Sequence, residues 1–117
     1  MFGLSQKSVE EINGCFAKYE GIDLVIVYGS RAKGNYKPGS DIDFAIKGQL
    51  SISELLQLES ELDDLLLPYT IDISLIDRIN EPALINHIER VGKIFYNRLT
   101  PVQFNEDPVP YIKAINK

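Results

Sequence analysis

The sequence is poor in several residue types, among them histidine and cysteine, the side chains that titrate nearest to neutral pH. It contains no tryptophan, one methionine, one histidine and one cysteine among its 117 residues. Cys15 cannot form a disulfide within the chain, so a reducing cytoplasm is the expected compartment. Nothing near Cys15 marks it as a nucleophile, and it is predicted to lie on an apolar helix face as a small hydrophobic residue. His87 is predicted on the face of a helix and is assigned no catalytic role.

Long hydrophobic runs and an excess of basic residues are also missing. The longest apolar stretch is far shorter than the roughly 20 residues that span a bilayer, and no basic-then-apolar leader is expected. Acidic residues outnumber basic ones by 17 to 12, which gives a net charge of −5. General nucleic-acid binding needs a basic surface, so nucleic acid is not an expected partner. Because no apolar stretch is long enough to span a bilayer, a membrane is not an expected partner either. A nucleotide is not excluded, because it needs only a local basic spot beside a bound metal ion.

The residues that are present are typical of a globular protein with one domain. The sequence is 44% hydrophobic and 25% charged, and its length suffices for one core but not for a second folding unit. We expect the domain to occupy residues 1–99. Residues 100–117 hold three of the six prolines and little periodicity, which predicts an extended C-terminal arm.

Hydrophobic periodicity predicts an alternation of helices and strands. The predicted order is helix 5–19, strand 22–29, strand 41–48, helix 53–67, strand 70–77, helix 82–91 and strand 93–97. The first strand is apolar on both faces, as in a central buried strand, whereas the second and third alternate apolar and polar residues. The expected fold class is therefore α/β, with a small mixed β-sheet flanked by helices.

The expected helix boundaries follow from capping residues. Ser8 is a plausible N-cap of the first helix, Ser53 opens the second, Pro82 starts the third and Gly92 ends it. The second helix carries a leucine stripe that is expected to face the core, formed by Leu55, Leu56, Leu58, Leu62, Leu65 and Leu66.

Three acids occupy the polar positions of the alternating strands. Asp41 and Asp43 are two residues apart, so their side chains would project from one face of a strand. Asp72 stands in the same phase relative to the apolar residues of its own strand, and all three acids would share a face if the two strands are neighbours. Oxygen ligands without histidine or cysteine suit a hard cation such as Mg²⁺ or Mn²⁺. Taken singly, each acid could equally be part of a solvated strand face.

A Gly-Ser turn precedes the first two acids. Gly29 lets the backbone turn sharply and approach a ligand, and Ser30 offers a hydroxyl and a backbone N–H to phosphate oxygens. Arg31 and Lys33 add positive charge where a triphosphate would meet the acids, although both could be solvated turn residues. Together these features indicate metal-dependent attack on a nucleoside triphosphate.

The stretch GSRAKGNYKPGSDIDFAI, with its Gly-Ser, ten-residue gap and Asp-x-Asp, resembles the minimal nucleotidyltransferase (MNT) domains of the DNA-polymerase-β-type superfamily. The resemblance runs from about residue 20 to about residue 98. It implies a polymerase-β palm-like fold, and it implies that Asp41, Asp43 and Asp72 are catalytic residues that hold Mg²⁺, with two ions expected. Gly29 and Ser30 would hold the β- and γ-phosphates of ATP, with Arg31 and Lys33 as further nucleotide-binding residues.

The resemblance also implies a partner. After Asp72 about 45 residues remain, too few for an acceptor-binding domain, and MNT proteins are typically paired with small helical HEPN toxins. Some transfer AMP from ATP to a tyrosine of the HEPN protein and so act as antitoxins, which is the leading interpretation here. Two alternatives stay open: the catalytic subunit of an antibiotic-type small-molecule nucleotidyltransferase, and an antitoxin that neutralises by binding alone. A homodimer and a hetero-oligomer are both compatible with the sequence.

Overall fold

The computed structural model describes residues 1–98, so the predicted arm at 100–117 lies outside the described residues. Its elements in chain order are α1 Gln6–Ala17, β1 Ile22–Tyr28, α2 Ser30–Lys33, β2 Ile42–Gly48, α3 Ile52–Asp63, β3 Ile71–Leu75, a 3₁₀ turn Ile76–Arg78, α4 Pro82–Val91 and β4 Lys93–Asn97. None of the helices in this part of the chain is long and apolar enough to cross a membrane.

The four strands form one mixed sheet in the order β3-β2-β1-β4. β1 is central and runs antiparallel to both β2 and β4, whereas β2 and β3 are parallel neighbours. Six of the seven residues of β1 are buried, because helices cover both faces of the sheet at its centre. The predicted α/β class, the mixed sheet and the buried central strand are confirmed.

The larger part of the core lies between the sheet and helices α1 and α3. Its centre is a cluster of three phenylalanine rings with no exposed surface, Phe16 of α1, Phe44 of β2 and Phe95 of β4. The ring centroid of Phe44 lies 5.3 Å from that of Phe16 and 4.8 Å from that of Phe95. These rings join the helix layer to two strands of the sheet.

The opposite face of the sheet carries a smaller apolar cluster under α4. Ile88 of α4 packs there with Ile26 of β1 and Ala45 of β2. Asp43 belongs to the same face of β2 as Ala45, since alternate residues of a strand share a face. Asp43 therefore lies on the face of the sheet that α4 covers.

Two helix starts differ from the prediction. α1 is capped by Ser5, whose hydroxyl accepts from the backbone N–H of Ser8, and not by Ser8 itself. α3 is capped by Ser51, which forms a reciprocal capping box with Glu54. Each serine chosen from the sequence lies two or three residues inside the true start, because nearby serines offer alternative caps that only hydrogen-bond geometry separates. The predicted roles of Pro82 and Gly92 are confirmed.

The leucine stripe of α3 is narrower than predicted. Leu58 and Leu62, four residues apart, are buried, whereas the side chain of Leu56 is 60% exposed. Two residues correspond to about 200° around a helix, so Leu56 points away from the face that contains Leu58. Leu66 follows the end of α3 and is 87% exposed. The prediction that these two leucines face the core was wrong.

Candidate active site

The start of the parallel pair β2–β3 brings two of the three predicted acids together. Asp43 of β2 and Asp72 of β3 are register partners, so their side chains leave the same face of neighbouring strands, which lie about 4.8 Å apart. Asp41 is exposed and immediately precedes β2, two residues before Asp43. The adjacency of the two strands, on which a shared site depended, is thus observed.

The acids of this group influence one another electrostatically. Burial raises the pKa of the half-buried Asp43 carboxyl, the nearby charges of Asp72 and Asp41 raise it further, and His87 acts in the opposite direction. A raised pKa means that the ionised carboxylate is less favourable in the folded protein than in the unfolded chain. The site therefore stores unfavourable negative charge that a cation would relieve.

The donor set fits a hard divalent cation, since carboxylate oxygens are its preferred ligands. Within residues 1–98, however, no three acidic, histidine or cysteine side chains already converge on one point that could hold a metal ion. Asp41, Asp43 and Asp72 could hold Mg²⁺ only together with phosphate oxygens and water, which is how Mg²⁺ is usually bound.

Replacing Asp43 by asparagine is expected to stabilise the metal-free protein. The raised pKa of Asp43 means that its contribution to stability is present at acidic pH and is lost as pH rises through that pKa. Asparagine removes the charge, so the free energy of unfolding at pH 7 should rise by up to about 1 kcal/mol, the scale of one cross-strand charge pair. Urea denaturation in chelator at pH 7 and again near pH 4 measures it. An equal gain at both pH values would contradict the electrostatic explanation.

Gly29 lies directly against Asp43. Its φ of 76° is in the region that side chains rarely adopt, and a Cβ added there would stand 2.5 Å from the Oδ2 atom of Asp43. Only glycine allows the turn to approach the carboxylate this closely. Ser30 follows as the first residue of α2 and is half-buried. Gly29 and Asp43, fourteen residues apart in sequence, therefore lie on one surface.

The two basic candidates differ in position. Lys33 is exposed at the end of α2 and is free to approach a phosphate group. Arg31 is only 3% exposed, and its guanidinium donates hydrogen bonds to backbone carbonyls inside the protein. Contact between Arg31 and a nucleotide stays a prediction, and this geometry does not favour it.

Three further side chains near the acids were not predicted as site residues. Tyr28 is the register partner of Asp43; burial raises the pKa of its hydroxyl, as do the charges of Asp43 and Asp72, whereas a hydrogen bond from Ser74 lowers it. The ring of His87 packs edge-on against that of Tyr28, with the ring centroids 6.2 Å apart. Ser74 could have been found from its position two residues after Asp72, but His87 depends on how α4 packs on the sheet.

The family model described as "Polymerase beta, Nucleotidyltransferase" matches residues 10–100. The chain belongs to this nucleotidyltransferase family. The match includes the Gly-Ser turn, all three acids and every strand of the sheet, so the predicted resemblance and the palm-like fold are confirmed. No curated protein matches the sequence significantly.

Solved structures of toxin–antitoxin complexes contain chains with the same fold. A toxin–antitoxin complex with AMP-PNP has 19% identity and a TM-score of 0.63, over 80% of this chain and 74% of that chain. A tri-AMPylated HEPN toxin from Shewanella oneidensis in complex with an MNT antitoxin has 17% identity and a TM-score of 0.61, over 82% of this chain and 75% of that chain. The MntA–HepT toxin–antitoxin complex has 17% identity and a TM-score of 0.60, over 81% of this chain and 74% of that chain. At these identities the likeness shows the fold alone.

Proposed function

We propose that this nucleotidyltransferase-family protein is a Mg²⁺-dependent adenylyltransferase that moves AMP from ATP to a tyrosine hydroxyl of a HEPN partner and thereby acts as an antitoxin. The observation that carries the chemical part is the register pairing of Asp43 with Asp72, with Asp41 two residues away and Gly29 in contact with Asp43. Carboxylates on neighbouring strands beside a glycine turn support binding of a metal–triphosphate, because carboxylate and phosphate oxygens are the ligands that Mg²⁺ prefers.

Each residue has a distinct role in the proposed reaction. Asp41 and Asp43 would hold the metal–triphosphate, and Gly29 and Ser30 would present backbone and hydroxyl groups to the β- and γ-phosphates. Lys33 adds positive charge at the edge of the same surface. Asp72 orients the acceptor hydroxyl and favours loss of its proton. Bound Mg²⁺ would supply charge neutralisation on the phosphates and would lower the pKa of the attacking hydroxyl.

The bond changes follow from this arrangement. The tyrosine oxygen forms a bond to the α-phosphorus of ATP, and the bond between that phosphorus and the oxygen bridging to the β-phosphorus breaks. Pyrophosphate leaves with the electron pair of the broken bond. The tyrosine proton passes to a carboxylate of the site and then to water. Asp72 is exposed on β3, the end strand of the sheet formed by residues 1–98, where an acceptor can approach from solvent.

The partner part of the proposal rests on the proteins of similar fold. Their names describe toxin–antitoxin pairs, and one complex contains a HEPN toxin that carries AMP groups beside an MNT antitoxin. The proposed reaction needs an acceptor hydroxyl from another molecule. A helical HEPN protein with an accessible tyrosine meets that need.

The proposal is tested by mass spectrometry of a HEPN protein encoded beside this one, after incubation with this protein, ATP and Mg²⁺. We expect the mass to increase by whole adenylyl groups, located on tyrosine by fragmentation, and expect chelation of the metal to prevent it. Pyrophosphate release with an aminoglycoside but not with the HEPN protein would instead indicate a small-molecule nucleotidyltransferase. Neutralisation of the toxin without any label would indicate an antitoxin that acts by binding.

A further inference from the structure

Arg31 is a buried charged residue for which the proposed reaction has no use. Its side chain is 3% exposed, and its guanidinium donates to three backbone carbonyls. Nη1 donates to the carbonyl of Phe2 at 3.0 Å, and Nη2 and Nε donate to that of Ser40 at 2.9 and 3.2 Å. A longer bond of 3.5 Å joins Nη2 to the carbonyl of Pro38.

Two aromatic rings complete the surroundings of the guanidinium. Its central carbon lies 5.1 Å from the ring centroid of Tyr36 and 4.9 Å from that of Tyr69, within the range of cation–π attraction. The ion pairs formed by residues 1–98, Lys18 with Glu61 and Lys47 with Asp77, do not include Arg31. Carbonyl dipoles and ring faces therefore stabilise the buried charge, which explains why the planar, five-donor guanidinium suits this position better than an ammonium group.

Except for Phe2, the groups that contact Arg31 lie on chain segments that carry or adjoin the proposed site. Arg31 itself follows Ser30, and the Ser40 carbonyl belongs to the residue immediately before Asp41. Tyr69 is three residues before Asp72, at the entrance to β3. The N–H of Ile42 donates to the carbonyl of Thr70 at 2.8 Å, so the entrances to β2 and β3 are also joined to each other.

We propose that Arg31 is a positioning residue: its guanidinium clamps the 36–40 loop and Tyr69 to α2, and so sets where Asp41 and Asp72 stand relative to the Gly-Ser turn. The reaction that this clamp serves is the adenylyl transfer proposed above. A phosphate group could recruit the guanidinium only by breaking bonds to Phe2 and Ser40 and leaving those carbonyls without their donors. Lys33, exposed two residues later, remains a cation available to the nucleotide.

The clamp is tested by hydrogen exchange on the full chain without nucleotide. Arg31→Lys keeps the charge but loses the fork, and Lys37→Met is the matched control, since it removes an exposed charge from the same loop. In Arg31→Lys we expect the amides of Ser40 and Ile42 to exchange at least about tenfold faster, while amides of the central strand β1 stay within about threefold. Lys37→Met should match the parent protein at all of these positions.

The exchange outcomes decide the proposal whether or not the protein transfers AMP. Unchanged protection of Ser40 and Ile42 in Arg31→Lys would overturn the clamp. Equal loss of protection in β1 would also overturn it, because Arg31 would then support the whole fold and not the site in particular. An Arg31→Met variant, which lacks both the charge and the donors, should show the same local pattern more strongly.

Transfer kinetics separate positioning from nucleotide contact. If the parent protein labels its acceptor, Arg31→Lys should lower kcat at least about tenfold, the scale of a small misplacement of reacting groups, and leave the KM for ATP within about threefold. A raised KM with unchanged kcat and unchanged exchange would mean that Arg31 binds phosphate, and the proposal would be wrong. A parent protein that labels nothing would count against the proposed function, and the exchange result would still decide the clamp.

Discussion

Replacing Asp72 by alanine is expected to slow AMP transfer at least about a hundredfold, the scale of losing one activating acid–base group. Asp41 and Asp43 remain in this variant, and under the proposed function we expect them to suffice for binding the metal–triphosphate. The affinity for ATP should therefore stay within about tenfold, or about 1.4 kcal/mol. The loss falls on the rate because Asp72 acts on the incoming hydroxyl, an interaction that strengthens only as the transition state forms. Asp72 is exposed on the edge strand, so its removal should not unfold the protein.

Labelling of the HEPN acceptor with ATP and Mg²⁺, followed by mass spectrometry, measures the transfer rate, and calorimetry measures ATP affinity. Asp23→Ala is the matched control, since Asp23 is an exposed acid of β1 near the opposite end of the sheet. It should label at the parent rate. If Asp72→Ala labels as fast as the parent protein, the three-carboxylate site is wrong. If no variant labels the acceptor and all of them silence the toxin, neutralisation occurs by binding.

Replacing Phe44 by alanine is expected to cost about 3–5 kcal/mol of the free energy of unfolding. The ring has no exposed surface and lies within 5.3 Å, centroid to centroid, of both Phe16 and Phe95. Its removal leaves a cavity where the α1 layer meets β2 and β4. Domains of this size are stable by about 5–15 kcal/mol in total, so the variant should lose a large fraction of its stability and unfold at a clearly lower temperature.

Urea denaturation monitored by circular dichroism measures this loss. Phe44→Leu, which keeps much of the buried volume, is the control and should lose clearly less stability than Phe44→Ala. A loss of under about 1 kcal/mol in Phe44→Ala would mean that the three-ring cluster does not join the layers as described. Replacing Asp43, the neighbour of Phe44 in β2, by asparagine should instead raise the free energy of unfolding, because the charge of Asp43 is unfavourable to the fold.

The fold was predictable because its strands are strongly patterned. In β2 the apolar residues Ile42, Phe44 and Ile46 alternate with Asp43 and Ala45, and the structure buries the first set in the larger core. β1 has no such alternation, and it is the strand that helices cover on both faces. Period two and a continuous apolar run are direct consequences of strand geometry and burial, so a sequence displays them.

The helices were less well predicted where several residues could serve equally. Ser5, Ser8, Ser51 and Ser53 are all competent caps, and local chemistry does not rank them. Leu56 and Leu58 are equally hydrophobic, yet only Leu58 lies on the face that α3 turns to the sheet. The rotation of a helix about its axis is set by the best packing of the whole core, which no short window of sequence contains.

The sequence by itself determined the strand pattern, the family and the set of acids, because each depends on residue types within short motifs or on the alternation within one strand. Tertiary structure alone decided that Asp72 stands opposite Asp43, that His87 of α4 reaches Tyr28, and that the Arg31 guanidinium points into the protein. These facts depend on which strands become neighbours and on contacts between segments up to about 60 residues apart. Such contacts form only when the complete core packs, so no local stretch of the sequence is sufficient to predict them.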